Sequence, residues 1–365
     1  MSENKTKTPS DNGKKYRNLI IRPFTYIHHS VGTESVVMLV LLGIQILMLA
    51  LTKSFSAIAV ICAAATGSVI ANFIDRKCMF LKPQCYFTYP ISIVQGLVTG
   101  MLIPETYPPL TVFLITLLVM IIIKHFFGGF SYSLVNPSVF AVAVLWLAGA
   151  YLFGQIELTA DMLTSRNPSQ QLIESGIFPT AAFDSSVTET LNNAIFSLFK
   201  VSIPDGYASL FWDTHSVIPA FRFNLVTLVS SIVLFSMDGM KIVISSFFLA
   251  VYLLLIRFVS PVFFQGIPFQ GDMLLALLTG GTLFTATFVL NWYGTVPSSL
   301  NGKIIYGILA GTAAFFIAGC GTSPAGRAFT VLLINFVSIL IQFYENDSNI
   351  RHTKKLVELS LKGDC

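Results

Sequence analysis

Long apolar stretches alternate with short polar connections along almost the whole chain. A bilayer hydrocarbon core about 30 Å thick needs roughly 20 predominantly apolar residues in a helix to cross it. By this measure the pattern predicts an all-α polytopic membrane protein with about ten transmembrane helices. The predicted crossings are Ser35–Leu51, Phe55–Ile74, Phe87–Leu102, Leu110–Phe127, Pro137–Phe153, Leu225–Met237, Ile242–Val259, Met273–Leu290, Lys303–Ala318 and Ala328–Phe343.

The composition excludes the main alternatives to a membrane protein. Of the 365 residues, 54% are hydrophobic and 11% are charged, and the mean hydropathy is +0.74. An average soluble domain has roughly 25% charged residues, so a soluble protein of this size would lack the charges to cover its surface. A secreted disulfide scaffold is excluded because five cysteines are too few for a chain of this length.

The distribution of basic residues predicts how the chain is oriented in the membrane. With the N-terminus inside, sixteen of the 22 lysines and arginines fall on the inner side. Basic residues favour cytoplasmic loops, so both termini are predicted to be cytoplasmic. Residues 1–33 are predicted to form a basic arm with an interfacial segment, and residues 345–365 a cytoplasmic tail.

One connection, residues 155–223, is far longer than the others and lies on the predicted outer side. Its first 67 residues (155–221) carry seven acidic and two basic side chains. Connections this long are usually functional or disordered, and the apolar stretch Thr190–Val201 favours a small folded cap. The cap separates two predicted transmembrane units of five crossings each, residues 34–154 and 224–344.

Five crossings per unit place the two units in opposite orientations, so a repeat between them must be inverted. A weak sequence similarity between the two units supports such a repeat. Gly128-Gly129 precedes the fifth crossing and residues 319–321 precede the tenth, and each is followed by a proline, Pro137 or Pro324. Glycine and proline breaks at matching positions indicate a site between repeats. Small residues that merely pack the helices together explain the same pattern.

The segment from Lys124 to Asn136 suits a broken helix or re-entrant loop. Asn136 precedes Pro137 and is therefore biased away from helical dihedrals, and the Gly128-Gly129 pair loosens the backbone. Such a break is tolerated at membrane depth only where it faces protein or a water-filled cavity. Lys124 and free backbone N–H groups suit a phosphate or a flavin carbonyl. The alternative interpretation is a tight turn with Lys124 as a cytoplasmic anchor.

Four motifs of the chain occur together in one family of membrane proteins. They are Lys124-x-x-x-Gly128-Gly129 leading to Asn136-Pro137-Ser138, the segments 272–281 and 302–307, and Ala328-Phe329-Thr330-Val331-Leu332-Leu333-Ile334-Asn335. This set resembles the family of the D subunit of the Rnf ferredoxin:NAD oxidoreductase complex and the B subunit of the sodium-pumping NADH:quinone reductase. The resemblance extends from about Arg22 to Tyr344, and the chain length is closer to that of the Rnf protein.

The resemblance implies a membrane electron carrier in a complex of the bacterial inner membrane. By resemblance, that complex couples ferredoxin and NAD redox chemistry to outward movement of Na⁺ or H⁺. The expected partners are the other complex subunits, a second flavin-bearing subunit that docks on the cap, a flavin transferase and the lipid bilayer. No nucleic acid partner and no metal site are expected. A second, non-covalent flavin is expected near Lys124, Gly128, Gly129 and Asn136.

In this family a threonine of the outer loop holds FMN through a phosphoester bond, within a Ser-[Gly/Ser/Thr]-Ala-Thr motif. Ser185-Ser186-Val187-Thr188 is the best counterpart, with Val187 in place of alanine. The family's aspartate lies six residues before its threonine, whereas Asp184 lies four residues before Thr188 and six before Thr190. Thr188 is the first candidate acceptor and Thr190 the second, with Ser185 as the motif serine.

Three other interpretations stay open at this point. The Ser/Thr-rich segment also suits an N-terminal cap of a helix over Thr190–Phe199. A five-plus-five inverted architecture also suits a small-solute channel or secondary transporter. A structural subunit of the complex that has lost its flavin is the third. Only the electron carrier needs an acceptor threonine in the outer loop.

Overall fold

A computed structural model describes residues 30–78, 88–126, 133–153, 180–200, 202–237, 241–263, 269, 271–319 and 324–363. Within these ranges every regular element is helical and no strand occurs, which confirms the predicted all-α class. The first half contains α1 (Val31–Leu51), α2 (Phe55–Cys78), α3 (Thr88–Met101), α4 (Pro109–Val119) and α5 (Pro137–Gly149). The cap contains α6 (Asp184–Ala194) and α7 (Tyr207–Trp212). The second half contains α8 (Asn224–Ser236), α9 (Ile242–Phe258), α10 (Ser260–Phe263), α11 (Met273–Leu278), α12 (Thr282–Phe284), α13 (Leu300–Ala314) and α14 (Gly326–Gly363).

Among the described residues, five helical segments are long and apolar enough to cross a membrane. They are Val31–Leu51, Phe55–Lys77, Ile242–Val262, Leu300–Ile317 and Gly326–Arg351. Large apolar side chains cover the outside of the bundle, and Leu51, Leu147 and Leu340 are 68%, 74% and 69% exposed. Contiguous apolar surface of this kind is rare on soluble proteins but normal against lipid. The chain is therefore an integral membrane protein with several crossings.

The predicted crossing Met273–Leu290 is not one continuous helix. It divides into α11, α12 and a π-helix over Thr285–Val289, with the break at Gly280 and Gly281. Both glycines have positive φ angles (66° and 67°), a conformation that glycine adopts at low cost. The prediction of a continuous helix was wrong because hydropathy measures side chains and does not report the backbone dihedrals.

Neighbouring side chains satisfy the carbonyl groups that this break frees. The Nδ2 group of Asn224 donates to the carbonyl of Leu278 at 2.6 Å, and Nε of Arg327 donates to that of Gly280 at 3.1 Å. A non-helical backbone at membrane depth requires such partners. The break is therefore stabilised by specific side chains of the surrounding helices.

Glycines allow α2 and α3 to pack with their backbones in contact. A Cβ atom added to Gly96 would lie 2.5 Å from Cα of Ala65, and one added to Gly100 would lie 2.6 Å from Cα of Ile61. Small residues at helix interfaces permit this close approach in membranes, where van der Waals packing stabilises helix pairs. The two helices have no room for a larger side chain at these positions.

We expect Gly96→Ala to destabilise the protein by about 1–3 kcal/mol, because the new methyl group must push α2 away. The matched control is Gly43→Ala in α1, where a Cβ atom meets nothing within 4 Å. Thermal unfolding of both variants in lipid nanodiscs measures the difference. Equal midpoints for the two variants would show that the close packing of α2 and α3 is absent.

The cap and two interhelical connections lie at the same end of the bundle. Nη1 of Arg222 donates to Oγ of Ser54, in the turn between α1 and α2, at 2.6 Å. The N–H of Glu105, in the connection between α3 and α4, donates to the carbonyl of Val217 at 3.0 Å. The orientation prediction places these connections and the cap on one side. Which side faces the cytoplasm stays a prediction.

Candidate functional site

The candidate acceptor threonines lie within a helix of the cap and not in a loop before it. The sequence predicts a helix beginning at Thr190, whereas α6 begins at Asp184 and is followed by a 3₁₀-helix over Phe196–Phe199. Tertiary contacts explain why α6 begins earlier than predicted. Asp184 is held by groups of α7 and the turn before it, and these contacts fix the first turn of α6. Such contacts are not readable from local composition.

An apolar pocket of about 440 Å³ lies between the cap and the second half of the bundle. Thr188 of α6 is part of a wall that is otherwise almost entirely aliphatic and aromatic. The aromatic lining includes Phe183, Tyr207, Phe211 and Trp212. Leucines of α8 and α11 form the opposite side. Trp212 is 46% exposed, so the pocket opens on the surface of the cap.

Asp184 organises the wall on which Thr188 lies. Its carboxylate accepts hydrogen bonds from the N–H groups of Gly206 and Ser209, each at 2.6 Å, and from the Ser209 hydroxyl. It also accepts one from Oγ1 of Thr188 at 3.3 Å. Asp184 and Thr188 are 2% and 4% exposed. The carboxylate therefore holds α6 against α7 and accepts the hydrogen bond of the Thr188 hydroxyl, while the Thr188 residue lines the pocket.

The structure separates the two candidate threonines. Thr190 is exposed, and its hydroxyl donates to the carbonyl of Ser186 at 2.8 Å. Ser185 is exposed as well, and neither residue lines the pocket. Successive residues of an α-helix are rotated by about 100°, so residues 188 and 190 lie on nearly opposite faces. Thr188 faces the pocket and Thr190 faces away from it.

Two polar contacts bind the cap to the second half beside the pocket. The Tyr207 hydroxyl donates to the carboxylate of Asp272, which also caps α11 by accepting from the N–H of Leu275 at 2.9 Å. Nδ2 of Asn224 donates to the carbonyls of Leu210 and Leu278 at 3.0 and 2.6 Å. Sequence reasoning noticed Asp272 as a motif residue and missed the other members, because no local spacing relates them.

The second predicted site lies elsewhere, at the junction of α3, α4 and α5. Lys124 belongs to a π-helix over Met120–Phe126 that continues α4, and its Nζ donates to Oγ of Ser92 at 2.8 Å. Asn136 caps α5 by accepting from the N–H of Ser138 at 3.0 Å. Gly128 and Gly129 lie outside the described residues.

Lys124 and Asn136 both use their polar ends in contacts between helices. Nδ2 of Asn136 donates to the carbonyl of Val289 at 3.1 Å and so joins the two halves of the bundle. Both residues are at most 1% exposed. The predicted break before Pro137 is confirmed, since α5 begins at that proline. The second flavin at this site stays a prediction.

The fold and the pocket together define a class: a helical integral membrane protein with an apolar pocket between a helical cap and the bundle. The sequence profile of the NQR2, RnfD, RnfE family matches residues 20–351. The chain belongs to this family. The resemblance inferred from the motifs is thereby confirmed over most of the chain.

Several relatives are named as the D subunit of an ion-translocating oxidoreductase complex. The protein of Vibrio cholerae is 27% identical over 319 residues, which covers 78% of this chain and 85% of the relative. The protein of Vibrio vulnificus is 27% identical over 291 residues, covering 70% and 78%. The protein of Shewanella sediminis is 25% identical over 289 residues, covering 69% and 75%.

Proposed function

We propose that this chain is the D-type membrane subunit of an Rnf-type ferredoxin:NAD oxidoreductase, and that it carries electrons through an FMN held covalently by Thr188. In this role it contributes to the movement of Na⁺ or H⁺ across the membrane. One observation carries the proposal. Thr188, a residue of the candidate attachment motif, lines an apolar, aromatic pocket beside the cap.

The pocket fits the group that the family resemblance implies. Its volume of about 440 Å³ lies within the range of about 300–1,000 Å³ that is usual for cofactor sites. Thr188 would hold the phosphate, and Phe183, Tyr207, Phe211 and Trp212 offer aromatic walls to a flat ring system. When bound, FMN supplies electron transfer, while the protein supplies binding and orientation.

The residues around the pocket position Thr188 and hold the cap in place, as the binding of a covalent flavin requires. Asp184 orients the Thr188 hydroxyl through the hydrogen bond between them. The apolar walls exclude water from a bound ring. The contacts of Tyr207 with Asp272 and of Asn224 with Leu278 hold the cap against α11 and keep the pocket closed on the membrane side.

The surface around the pocket supports a role for the cap in docking the second flavin-bearing subunit and the flavin transferase. Val187, Leu191 and Trp212 line the pocket and are 37%, 36% and 46% exposed. An apolar rim at a pocket mouth is typical of an interaction site. In this proposal the cap (155–223) lies outside the bacterial inner membrane, and residues 1–33 and 345–365 lie in the cytoplasm.

The two transmembrane units, residues 34–154 and 224–344, are proposed to be inverted repeats with ten crossings in total. Matching features support this arrangement. The helix α4 continues into the π-helix Met120–Phe126, and α13 continues into the π-helix Phe315–Gly319. The next described helices are α5, which begins at Pro137, and α14, which begins two residues after Pro324.

The test of the proposed function is covalent flavin on the purified chain. The chain is produced with its flavin transferase, denatured in SDS and assayed for flavin fluorescence in the gel. We expect a fluorescent band at the chain's mass, and a flavin phosphate on a peptide of α6 by mass spectrometry. A wild-type chain without covalent flavin would overturn the electron-carrier role and leave solute flux or a structural role to be tested.

A further inference from the structure

A seam of polar side chains runs through the interior between α2, α3 and α4. Toward the end of the bundle that lies away from the cap, the close apolar packing of α2 and α3 gives way to polar residues. Each member of the seam is at most 1% exposed. The members are Ser68, Asn72 and Asp75 of α2, Ser92 and Gln95 of α3, Thr116 of α4 and Lys124 of the π-helix.

Hydrogen bonds gather part of the seam around Ser92. Nζ of Lys124 donates to Oγ of Ser92 at 2.8 Å, and Oγ of Ser68 donates to the Ser92 carbonyl at 2.7 Å. Oγ of Ser138, at the start of α5, donates to the carbonyl of Gln95 at 2.9 Å. Four segments of the first half therefore meet at this point.

Five polar side-chain atoms of the seam have no hydrogen-bond partner among the described residues. They are Nδ2 and Oδ1 of Asn72, Nε2 and Oε1 of Gln95, and Oγ1 of Thr116. Leaving a buried polar group unpaired costs about 1–3 kcal/mol, and lipid on the outside offers no relief. Native interiors satisfy such groups with ordered water, which makes about three hydrogen bonds to polar partners. The side-chain amides of Asn72 and Gln95 each offer a donor and an acceptor, and a water molecule can bond to both kinds of group.

A pair of opposite charges lies at the same seam. Asp75 of α2 and Lys124 of the π-helix are each 1% exposed, and the two segments that carry them pack against each other. Ionisable side chains within membrane segments are costly, and they commonly mark ion or proton pathways. Ionisable side chains and buried polar atoms without partners among the described residues thus occur together in one part of the bundle.

Other ionisable residues occur close to the pair along the chain. On α2, the guanidinium of Arg76 stacks over the ring of Tyr89, and Nζ of Lys77 lies over the ring of Phe73. His125 follows Lys124 in the chain. The described parts of α3, α4 and α5 contribute no further charged side chain.

We propose that the seam between α2, α3 and α4 holds bound water and is an internal proton-exchange site whose titrating groups are Lys124 and Asp75. In the exchange step an N–H bond of the Lys124 ammonium breaks and its proton passes to a bound water. That water delivers a proton to the Asp75 carboxylate, where an O–H bond forms. The pair changes from ammonium and carboxylate to amine and carboxylic acid, so no net charge is created in the membrane.

The first test concerns hydration and is independent of any redox activity. A cryo-EM map of the full chain in lipid nanodiscs is calculated at a resolution that shows ordered water elsewhere in the protein. We expect water density within hydrogen-bond distance of the Asn72 and Gln95 side-chain amides. A map that shows ordered water elsewhere and none at these amides would overturn the proposal.

The second test concerns proton exchange and rests on the proposed function. Membrane vesicles containing the whole complex are assayed for ferredoxin-driven NAD reduction and for ion uptake in the same sample. We expect Gln95→Met and Lys124→Met to lower ion uptake per electron transferred at least tenfold. Asn72→Ser keeps a small polar group and should stay near the wild-type ratio.

Ser230→Ala is the matched control, because Ser230 is a buried α8 residue that bonds only the carbonyl of Val226 of its own helix among the contacts described. An unchanged ratio in Gln95→Met and Lys124→Met would overturn the exchange site while leaving the proposed function intact. Loss of electron transfer and of ion uptake in the wild type would instead refute the proposed function. Thr116→Val, which removes one seam hydroxyl with little change in shape, replaces any variant that fails to assemble, and the same tenfold fall is expected.

Discussion

Thr188→Ala is expected to reduce covalent flavin fluorescence of the chain to background. Alanine lacks the hydroxyl that a phosphoester needs, and Thr188 supplies the acceptor hydroxyl proposed for the pocket lining. The substitution is compatible with the fold, since alanine has the highest helix propensity and Thr188 lies inside α6. In-gel fluorescence of the variant beside the wild type, at matched protein amounts, measures the effect.

Thr190→Ala is the matched control for this prediction. It removes a hydroxyl two residues away that is exposed and bonded to the carbonyl of Ser186. We expect the Thr190 variant to keep its full fluorescence. The reverse result, with loss only in Thr190→Ala, would mean that the six-residue spacing from Asp184 selects the acceptor and that the pocket is not the flavin site.

Arg222→Met is expected to destabilise the protein by about 3–5 kcal/mol, the usual cost of removing one partner of a buried ion pair. Nε and Nη2 of Arg222 donate to the two carboxylate oxygens of Asp213 at 2.9 and 2.6 Å. Both residues are 7% exposed. Since Arg222 also donates to Ser54, the substitution removes a connection between the cap and the α1–α2 turn.

Thermal unfolding in nanodiscs, with limited proteolysis of the cap, measures this effect. The control is Arg351→Ala, which breaks an ion pair with Asp347 whose side chains are 75% and 49% exposed. A helical surface pair of this kind contributes about 0.3–0.5 kcal/mol. The double variant Asp213→Leu/Arg222→Met should be more stable than Arg222→Met alone, because no unpaired charge remains buried. Equal effects for Arg222→Met and Arg351→Ala would refute the assignment of a buried, stabilising pair.

The class of the protein was predictable from sequence because bilayer thickness sets the length of an apolar helix. The start of α5 was predictable for a local reason as well. Asn136 supplies an N-cap oxygen and Pro137 suits the first helical position, and the structure shows both roles. The start of α5 was therefore predicted correctly from residues close together in the chain.

The choice between Thr188 and Thr190 was not predictable in this way. The motif spacing fitted each residue in part, and both are threonines of one short segment. Which face of α6 turns inward depends on Asp184 and its bonds to Gly206 and Ser209, more than twenty residues away. Tertiary contacts alone place Thr188 at the pocket and leave Thr190 exposed.

The sequence by itself determined the helical membrane class, the family and the segment that carries the candidate acceptors. The tertiary structure alone decided which acceptor faces the pocket, where the eighth predicted crossing breaks, and that Asn72, Gln95 and Lys124 share one buried seam. The physical reason is the range of the forces involved. Helix length and capping depend on near neighbours, whereas burial and pairing of a polar side chain depend on helices that are distant in the chain and meet only on folding.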